Sequence, residues 1–313
     1  MRESLQVLDG IRLNFSQEGF MFLNITLALI MFGVALEIKV QNFRLILSNP
    51  KSVIAGFLAQ HFLVPAFAFL LVLVLRPSPS VALGMILVAA CPGGNISNFL
   101  SLMAKGNVEL SVTLTAISTI VAVVLTPFNF ALYGSLYSEA SHLMMPISID
   151  PFEMAQTVFF LLGIPLILGM LFSWKFPLTA KKITKPMKIF SLVAFGIFVF
   201  AALAANFNYF LKYIHLIFLF VLLENGLAFL VGHFTGKTFR LPANDIKTIG
   251  IESGIHNSGL ALVLIFNPKL FNGLGGMAFI AAWWGIWHII AGLGIATYYS
   301  RKMKSNLKSE PVI

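Results

Sequence analysis

The feature of this sequence that most constrains its fold is a proline followed by two glycines inside an apolar stretch long enough to cross a bilayer. Pro92, Gly93 and Gly94 lie near the middle of residues 81–104. Proline has no N–H to donate and clashes with the preceding turn, and glycine favours non-helical backbone, so a helix should open here. Free backbone groups in hydrocarbon cost several kcal/mol each, so such a break persists only where protein buries it or where it lines a water-filled cavity.

A second interruption of the same kind lies in the other half of the chain. Residues 251–259 place Gly254, Gly259 and the carboxylate of Glu252 within the apolar stretch 247–267. Two interrupted helices in corresponding positions of two halves indicate the binding site of a secondary transporter.

The composition predicts an all-α polytopic membrane protein. Hydrophobic residues make up 58% of the 313 residues, charged residues 11%, and the mean hydropathy is +0.90, which leaves too little polar surface for a soluble chain of this size. A spanning helix needs about 20 apolar residues. By this criterion the sequence has nine candidate spans: 20–37, 53–75, 81–104, 108–133, 154–174, 189–206, 213–235, 247–267 and 277–300. Within this set, helix 108–133 is expected to stop near Pro127, and the lysine-rich segment 175–188 is expected to be a loop.

The lysine and arginine residues predict the orientation of the chain. With the N-terminus outside, 16 of the 21 basic residues fall in cytoplasmic loops and in the C-terminal tail, which is a positive-inside bias. The net charge of +9 is therefore assigned to topology, and nucleic-acid binding is not expected. Residues 301–313 are predicted to be a basic cytoplasmic tail able to contact anionic lipid.

The order of the helices predicts an inverted repeat. The broken span 81–104 is followed by a polar helix, and the broken span 247–267 is likewise followed by 277–300. The offset between the two units is five helices, and an odd offset places them in opposite orientations, as in inverted-repeat transporters. The first half then has four helices and the second half has five.

Polar side chains near the two breaks predict a cation site. Ser111 and Thr115 are four residues apart and so share one helix face. If that face looks at the first break, their hydroxyls converge with Ser97, Asn98 and the carboxylate of Glu252. Such an oxygen-rich pocket, without a cluster of cysteine or histidine, favours an alkali cation over a transition metal. The alternatives are that the hydroxyls only join helices, and that Glu252 is a structural acid paired with Lys247 or with a hydroxyl.

The substrate side of the site is predicted from the half-helices that follow the breaks. Their N-terminal ends present free N–H groups and a positive dipole, which favours an anionic substrate. Asn95 and Asn257 are placed to hydrogen-bond it. For His288 the two interpretations, a satisfied structural histidine and a substrate contact, stand equally. Glu224 is interpreted first as a structural residue that braces the broken helices with Asn225.

Taken together, these motifs resemble the bile acid:sodium symporter family. The similar residues are Cys91 to Gly94, Ser97, Asn98, Gly106, Asn107, Leu110, Ser111, Thr115, Ile251, Glu252, Asn257, Ser258 and Gly259. The similarity runs from about residue 23 to residue 301. It implies a core domain of helices 53–133 and 213–300, a panel domain of 20–37 and 154–206, and two broken helices that cross beside the substrate.

The resemblance also implies two sodium sites. The first is similar to Ser97, Asn98, Ser111, Thr115 and Glu252, and the second to Gln60, Glu252, the carbonyl groups of Ser253 and Ile255, and the side chain at position 256. The family usually has glutamine at this last position, where this chain has His256. An imidazole nitrogen is a poor sodium ligand and can take a proton near neutral pH. We therefore expect one sodium to be kept and the second to be lost or replaced by a proton.

These observations predict a sodium-coupled symporter of an organic anion, either a small carboxylate or a bile-acid-like anion, that works by elevator-type alternating access. The expected location is the cytoplasmic (inner) membrane of a bacterium, and the expected substrate contacts are Asn95, Asn257, Ser258 and His288. The alternatives are a proton-coupled or uncoupled transporter, a binding protein without flux and, less favoured, a channel. The sequence has no His-Glu-x-x-His or Gly-x-Ser-x-Gly pattern, so an enzyme is not expected. Apart from one or two sodium ions, the anion and membrane lipid, no organic cofactor or obligate protein partner is expected.

Overall fold

The computed structural model describes residues 2–13, 17–38, 48–137, 150–205 and 207–309 of the chain. Within these ranges the regular structure is helical, and the β-type pairings there are two isolated bridges, Arg12 with Leu274 and Gly93 with His256. Residues 138–149, between the fourth and fifth predicted spans, lie outside the described ranges, as do the last residues of the predicted tail.

The described residues contain twelve helices. In chain order they are α1 (Arg2–Gly10), α2 (Gln17–Ala35), α3 (Pro50–Leu75), α4 (Pro79–Ala90), α5 (Ile96–Met103), α6 (Val108–Leu136), α7 (Pro151–Lys175), α8 (Pro177–Ala205), α9 (Phe207–Thr238), α10 (Ala243–Gly254), α11 (Ser258–Phe266) and α12 (Gly275–Ser309). Helices α3 and α7 each contain one five-residue π-helical turn, Ala59–Leu63 and Phe159–Gly163.

Six of these helices are long and apolar enough to cross a membrane, namely α2, α3, α6, α7, α9 and α12. The prediction of a multi-pass membrane protein is therefore confirmed. Of the other three predicted spans, two are each divided between a pair of short helices, and the third, 189–206, falls on α8 up to residue 205.

Both predicted interruptions are present in the structure. Helix α4 ends at Ala90 and α5 begins at Ile96, while α10 ends at Gly254 and α11 begins at Ser258. The two breaks meet, because the isolated bridge between residues 93 and 256 joins them.

Each break supplies the hydrogen bonds that the other one lacks. The N–H of Gly94 donates to the carbonyl of Ile255 at 2.9 Å, and the N–H of Asn257 donates to the carbonyl of Pro92 at 2.8 Å. Backbone groups freed in a low-dielectric interior need such partners. The contact between the two breaks therefore gives hydrogen-bond partners to backbone groups that each break alone would leave unpaired.

Two boundaries predicted from the sequence are wrong. Helix α6 does not stop near Pro127 but continues to Leu136. Beyond the proline, the Asn129 amide donates to the carbonyl of His61 at 2.8 Å, and Thr126 donates to the carbonyl of Ala90 at 2.8 Å, so tertiary contacts hold the helix where local preference would end it. The lysine-rich segment from residue 177 onward is not a loop either, because it forms the first turns of α8.

The N-terminal residues form a short helix that the sequence did not predict. Helix α1 buries Leu5 and Leu8, and the carboxylate of Asp9 accepts a hydrogen bond from the N–H of Ser80 at 2.8 Å, at the start of α4. The N–H of Gly275 donates to the carbonyl of Ile11 at 3.0 Å. Helix α1 therefore fixes the first turns of both α4 and α12.

Helices α4 and α12 pack with their backbones unusually close. A Cβ atom at Gly84 would lie 2.8 Å from the Cα of Met277, whereas a Cβ at Gly294, on the same α12, would meet nothing within 4 Å. Close approach of this kind through small residues is typical of helix pairs in membranes.

We expect Gly84→Ala to destabilise the protein by about 1–3 kcal/mol, because a backbone atom cannot move away as a flexible side chain can. Gly294→Ala is the matched control, since the same methyl group there enters open space and removes a glycine from a helix. Thermal unfolding of the purified variants in detergent measures the difference. Equal melting temperatures for the two variants would contradict this account of the α4–α12 contact.

Candidate cation and substrate site

Gly93 lies at the point where the two breaks cross. Its N–H donates to the hydroxyl of Ser118 at 2.9 Å, which fixes the loop against α6. A Cβ atom at this position would lie 2.5 Å from Nε2 of Gln60 and 3.3 Å from Oε2 of Glu252. Glycine is required here because the space next to its backbone holds the polar ends of two other side chains.

The five residues predicted for the first cation site are brought together beside this glycine. Glu252 accepts a hydrogen bond from Ser111, and the Thr115 hydroxyl lies 3.1 Å from its Oε2 and 3.3 Å from its Oε1. The amide oxygen of Asn98 accepts from Ser111 at 2.9 Å, and the hydroxyls of Ser97 and Thr115 lie 3.3 Å apart. Two half-helices and α6 thus contribute oxygen atoms to one small volume.

The carboxylate of Glu252 is enclosed in this oxygen cluster. The residue is 1% exposed, and the side chains around it are hydroxyls and an amide. Lys247, the lysine considered as its partner, instead places its Nζ 5.8 Å from the ring centre of Tyr299. The hydroxyls donate to the carboxylate here, and each can rotate to present a lone pair to a cation.

The residues implied for the second cation site are adjacent but arranged differently. The Gln60 side chain donates through Nε2 to the backbone carbonyl of Glu252 at 3.2 Å, so it presents its amide N–H on that side. The carbonyl of Ile255 already accepts from Gly94. The buried hydroxyl of Ser253 has no hydrogen-bond partner within the described residues. These groups contact the first site but do not form a closed shell of oxygens.

His256 is buried at the edge of this second group. It is 1% exposed, its ring centre lies 5.5 Å from that of Trp284, and neither ring nitrogen has a hydrogen-bond partner in the part of the chain that the structure describes. The position at which the resemblance implies an amide oxygen is therefore taken by an imidazole packed on an indole.

The sequence predicts that Glu224 and Asn225 together brace the broken helices. The structure gives this role to Asn225 but not to Glu224. The neighbouring Asn225 does brace the second break, because its Nδ2 donates to the carbonyl of Gly254 at 2.7 Å. Both carboxylate oxygens of Glu224 lack a partner among the described residues, and the side chain lines a narrow crevice together with His256 and Trp284. The sequence indicates a buried acid at position 224, but it does not indicate that this acid shares a crevice with His256.

The predicted substrate residues occupy the starts of the half-helices and one neighbouring helix. Asn95 is the N-cap residue just before α5, and its side chain makes no capping hydrogen bond, while Asn257 caps α11 by accepting from the N–H of Leu260 at 3.0 Å. Ser258 is buried at the start of α11. His288 is buried on α12, and its Nδ1 is paired with the backbone carbonyl of Trp284.

A further buried acid, Asp245, joins the start of α10 to neighbouring parts of the fold, and no motif in the sequence marks it. Asp245, in the first turn of α10, accepts from the amides of Asn107 at 2.9 Å and Asn49 at 3.2 Å, and from the hydroxyl of Ser52. These contacts tie α10 to the turn before α6 and to the start of α3. No local pattern in the sequence marks Asp245 as the acceptor of these hydrogen bonds, because all three donors lie more than 130 residues away along the chain.

Comparison with known proteins shows which family the chain resembles. The chain matches the model of the Sodium Bile acid symporter family over residues 24–213. It is 34% identical to an uncharacterized sodium-dependent transporter, YocS, of Bacillus subtilis over 90% of this chain and 84% of that protein. It is also 30% identical to a probable chloroplastic sodium/metabolite cotransporter, BASS1, of Arabidopsis thaliana and to the human P3 protein, spanning 57% and 52% of their lengths.

Proposed function

This chain belongs to the sodium bile acid symporter family, and we propose that it couples the inward movement of sodium to the uptake of an organic anion. The proposal is supported by one observation above all, the buried carboxylate of Glu252 among hydroxyl and amide oxygens beside two broken helices that cross. A carboxylate at the middle of a membrane is costly, at about 2.5–3.5 kcal/mol for a related acid on insertion scales, and a bound cation offsets that cost.

We propose that the first sodium binds to the side chains of Ser97, Asn98, Ser111, Thr115 and Glu252. Hydroxyl, amide and carboxylate oxygens are the ligands that a hard cation prefers. Because these atoms come from α5, α6 and α10, the ion would hold both half-helices in one arrangement. Sodium binding and the shape of the neighbouring substrate site are then linked.

We propose that the second sodium of the family is absent or replaced by a proton in this chain. One observation supports this: the imidazole of His256 stands where the resemblance implies an amide oxygen. The Ile255 carbonyl accepts from Gly94 and keeps one lone pair for an ion. Gln60, Ser253 and the carbonyl of Glu252 remain nearby, so the surroundings of a second site are largely retained.

The substrate in this proposal is a small organic anion bound between the starts of α5 and α11. Helix N-termini favour negative charge, and Asn95, Asn257, Ser258 and His288 are the proposed contacts. The plant relative is described as a probable sodium/metabolite cotransporter, which favours a small metabolite over a bile acid. A channel is less favoured, since channels line an open pore with rings of charge or carbonyls and the cluster described here has one carboxylate.

Transport in this proposal follows from movement of a core domain, 53–133 and 213–300, against a panel domain, 20–37 and 154–206. Helix α2 packs against α7 and α8, whereas α9 packs against α10, which supports the division. The nine spans would form an inverted repeat of four and five helices, with the N-terminus outside and the C-terminus in the cytoplasm of a bacterial cell.

Uptake into proteoliposomes tests the proposed activity. A panel of labelled organic acids is supplied under an inward sodium gradient and, in parallel, under an equal potassium gradient, at pH 6 and pH 8. We expect at least one small carboxylate to accumulate only with sodium. Equal uptake in both gradients would favour an uncoupled carrier, and accumulation driven by a pH gradient alone would favour proton coupling.

A further inference from the structure

A long apolar groove lies on the surface of the helix pair α2 and α8. It is open to the surface and has a volume of about 620 Å³, and its apolar lining includes Phe22, Pro186, Ile189, Phe190, Val193 and Ile197. One lysine, Lys185, completes the lining at the end nearer the start of α8. None of these residues belongs to the crossover or to the cation cluster, so the groove is a separate feature of the molecule.

The length of the groove matches the depth of one lipid leaflet. Lys185 and Ile197 are 197 − 185 = 12 residues apart on α8, which corresponds to about 18 Å at a helical rise of 1.5 Å per residue. The hydrocarbon core of a bilayer is roughly 30 Å thick, so one leaflet contributes about 15 Å. A chain lying in the groove would therefore run from one membrane face to the middle of the bilayer.

Positive charge is concentrated at the lysine end of the groove. Lys181, Lys182 and Lys185 are exposed on the first turns of α8. The segment 175–205 contains no aspartate or glutamate. Clusters of lysine next to a membrane surface attract anionic lipid headgroups.

From this combination we propose that the groove binds an anionic phospholipid. The headgroup phosphate lies among Lys181, Lys182 and Lys185, and one acyl chain follows the apolar lining toward Ile197. The ligand must be anionic at one end and hydrocarbon at the other, because the groove has that same division over the same length.

A second copy of the chain fits this surface less well. Two copies in one membrane share the same orientation, and a symmetric dimer through this face would bring the same patch of both subunits together. The lysine clusters would then lie at the same depth and repel each other. A lipid headgroup instead neutralises the cluster.

Lipid retention by the full-length purified protein tests the proposal. The protein is reconstituted in mixed phosphatidylglycerol and phosphatidylcholine, extracted in mild detergent, and its bound lipid is counted by native mass spectrometry. We expect preferential retention of one phosphatidylglycerol. The charge variant Lys181→Gln/Lys182→Gln/Lys185→Gln should retain at least tenfold less. So should Val193→Trp, because Val193 is 53% exposed and its side chain lines the groove.

The matched control removes the same charge elsewhere. Lys51, Lys212 and Lys237 are exposed and lie on other helices, so their combined replacement by glutamine should leave retention unchanged. Equal retention of both lipids by the wild type, or equal loss in the two triple variants, would overturn the proposal. A dimer that is present without lipid and absent in Val193→Trp would assign the groove to a second copy.

Discussion

Glu252→Gln is expected to reduce sodium-driven uptake about 100-fold or more, with little change in the fold. Glutamine has the same shape and can still accept the hydrogen bond from Ser111, but it removes the one negative charge of the oxygen cluster. Truncating one member of a buried charge pair costs roughly 2–5 kcal/mol, and about 2.8 kcal/mol corresponds to the 100-fold loss. In Glu252→Gln the cation is the partner left without a counter-charge.

Initial uptake rates in proteoliposomes at varied sodium concentration measure this effect. Glu109→Gln is the matched control, because Glu109 is exposed in the first turn of α6 and carries the same charge outside the site. Thr115→Val should give an intermediate loss, seen as a higher sodium concentration for half-maximal uptake. If Glu252→Gln and Glu109→Gln transport equally well, the cluster around Glu252 is a structural network and not a sodium site.

The central feature of the fold could be predicted from the sequence because its cause is local. Pro92 and the glycines after it cannot continue a helix, and the cost of free backbone in a membrane then requires a buried partner. The observed bridge between residues 93 and 256 is that partner. The convergence of Ser97, Ser111 and Glu252 followed from helical spacing once the two breaks were placed together.

Other parts of the fold could not be predicted because tertiary contacts override local preference. Pro127 is a helix breaker in isolation, but hydrogen bonds from Thr126 and Asn129 to neighbouring helices carry α6 past it. The lysine-rich segment is different: its charge favours a loop, but lysine is also a good helix former, and the segment forms the first turns of α8. The buried Asp245 resembles an acid that merely stabilises a helix N-terminus until its three hydrogen-bond donors are seen in space.

His256→Gln is expected to change the number of sodium ions that activate transport. Glutamine supplies an amide oxygen where the imidazole now packs on Trp284, and we expect it to join the carbonyl of Glu252 and the side chain of Gln60 in binding an ion. Hill coefficients can rise up to the number of coupled sites. We therefore expect sodium activation to change from a Hill coefficient of about 1 in the wild type toward about 2 in the variant.

A double variant separates a restored ion site from an indirect effect of the substitution. Gln60→Leu in the His256→Gln background removes a second proposed ligand, so the Hill coefficient should return to about 1 if both side chains contact the same ion. Gln60→Leu alone should leave the coefficient unchanged, because the wild-type chain would hold no ion there. A wild-type coefficient already near 2 at both pH 6 and pH 8 would refute the loss of the second sodium. Histidine at position 256 would then be compatible with the binding of a second sodium ion.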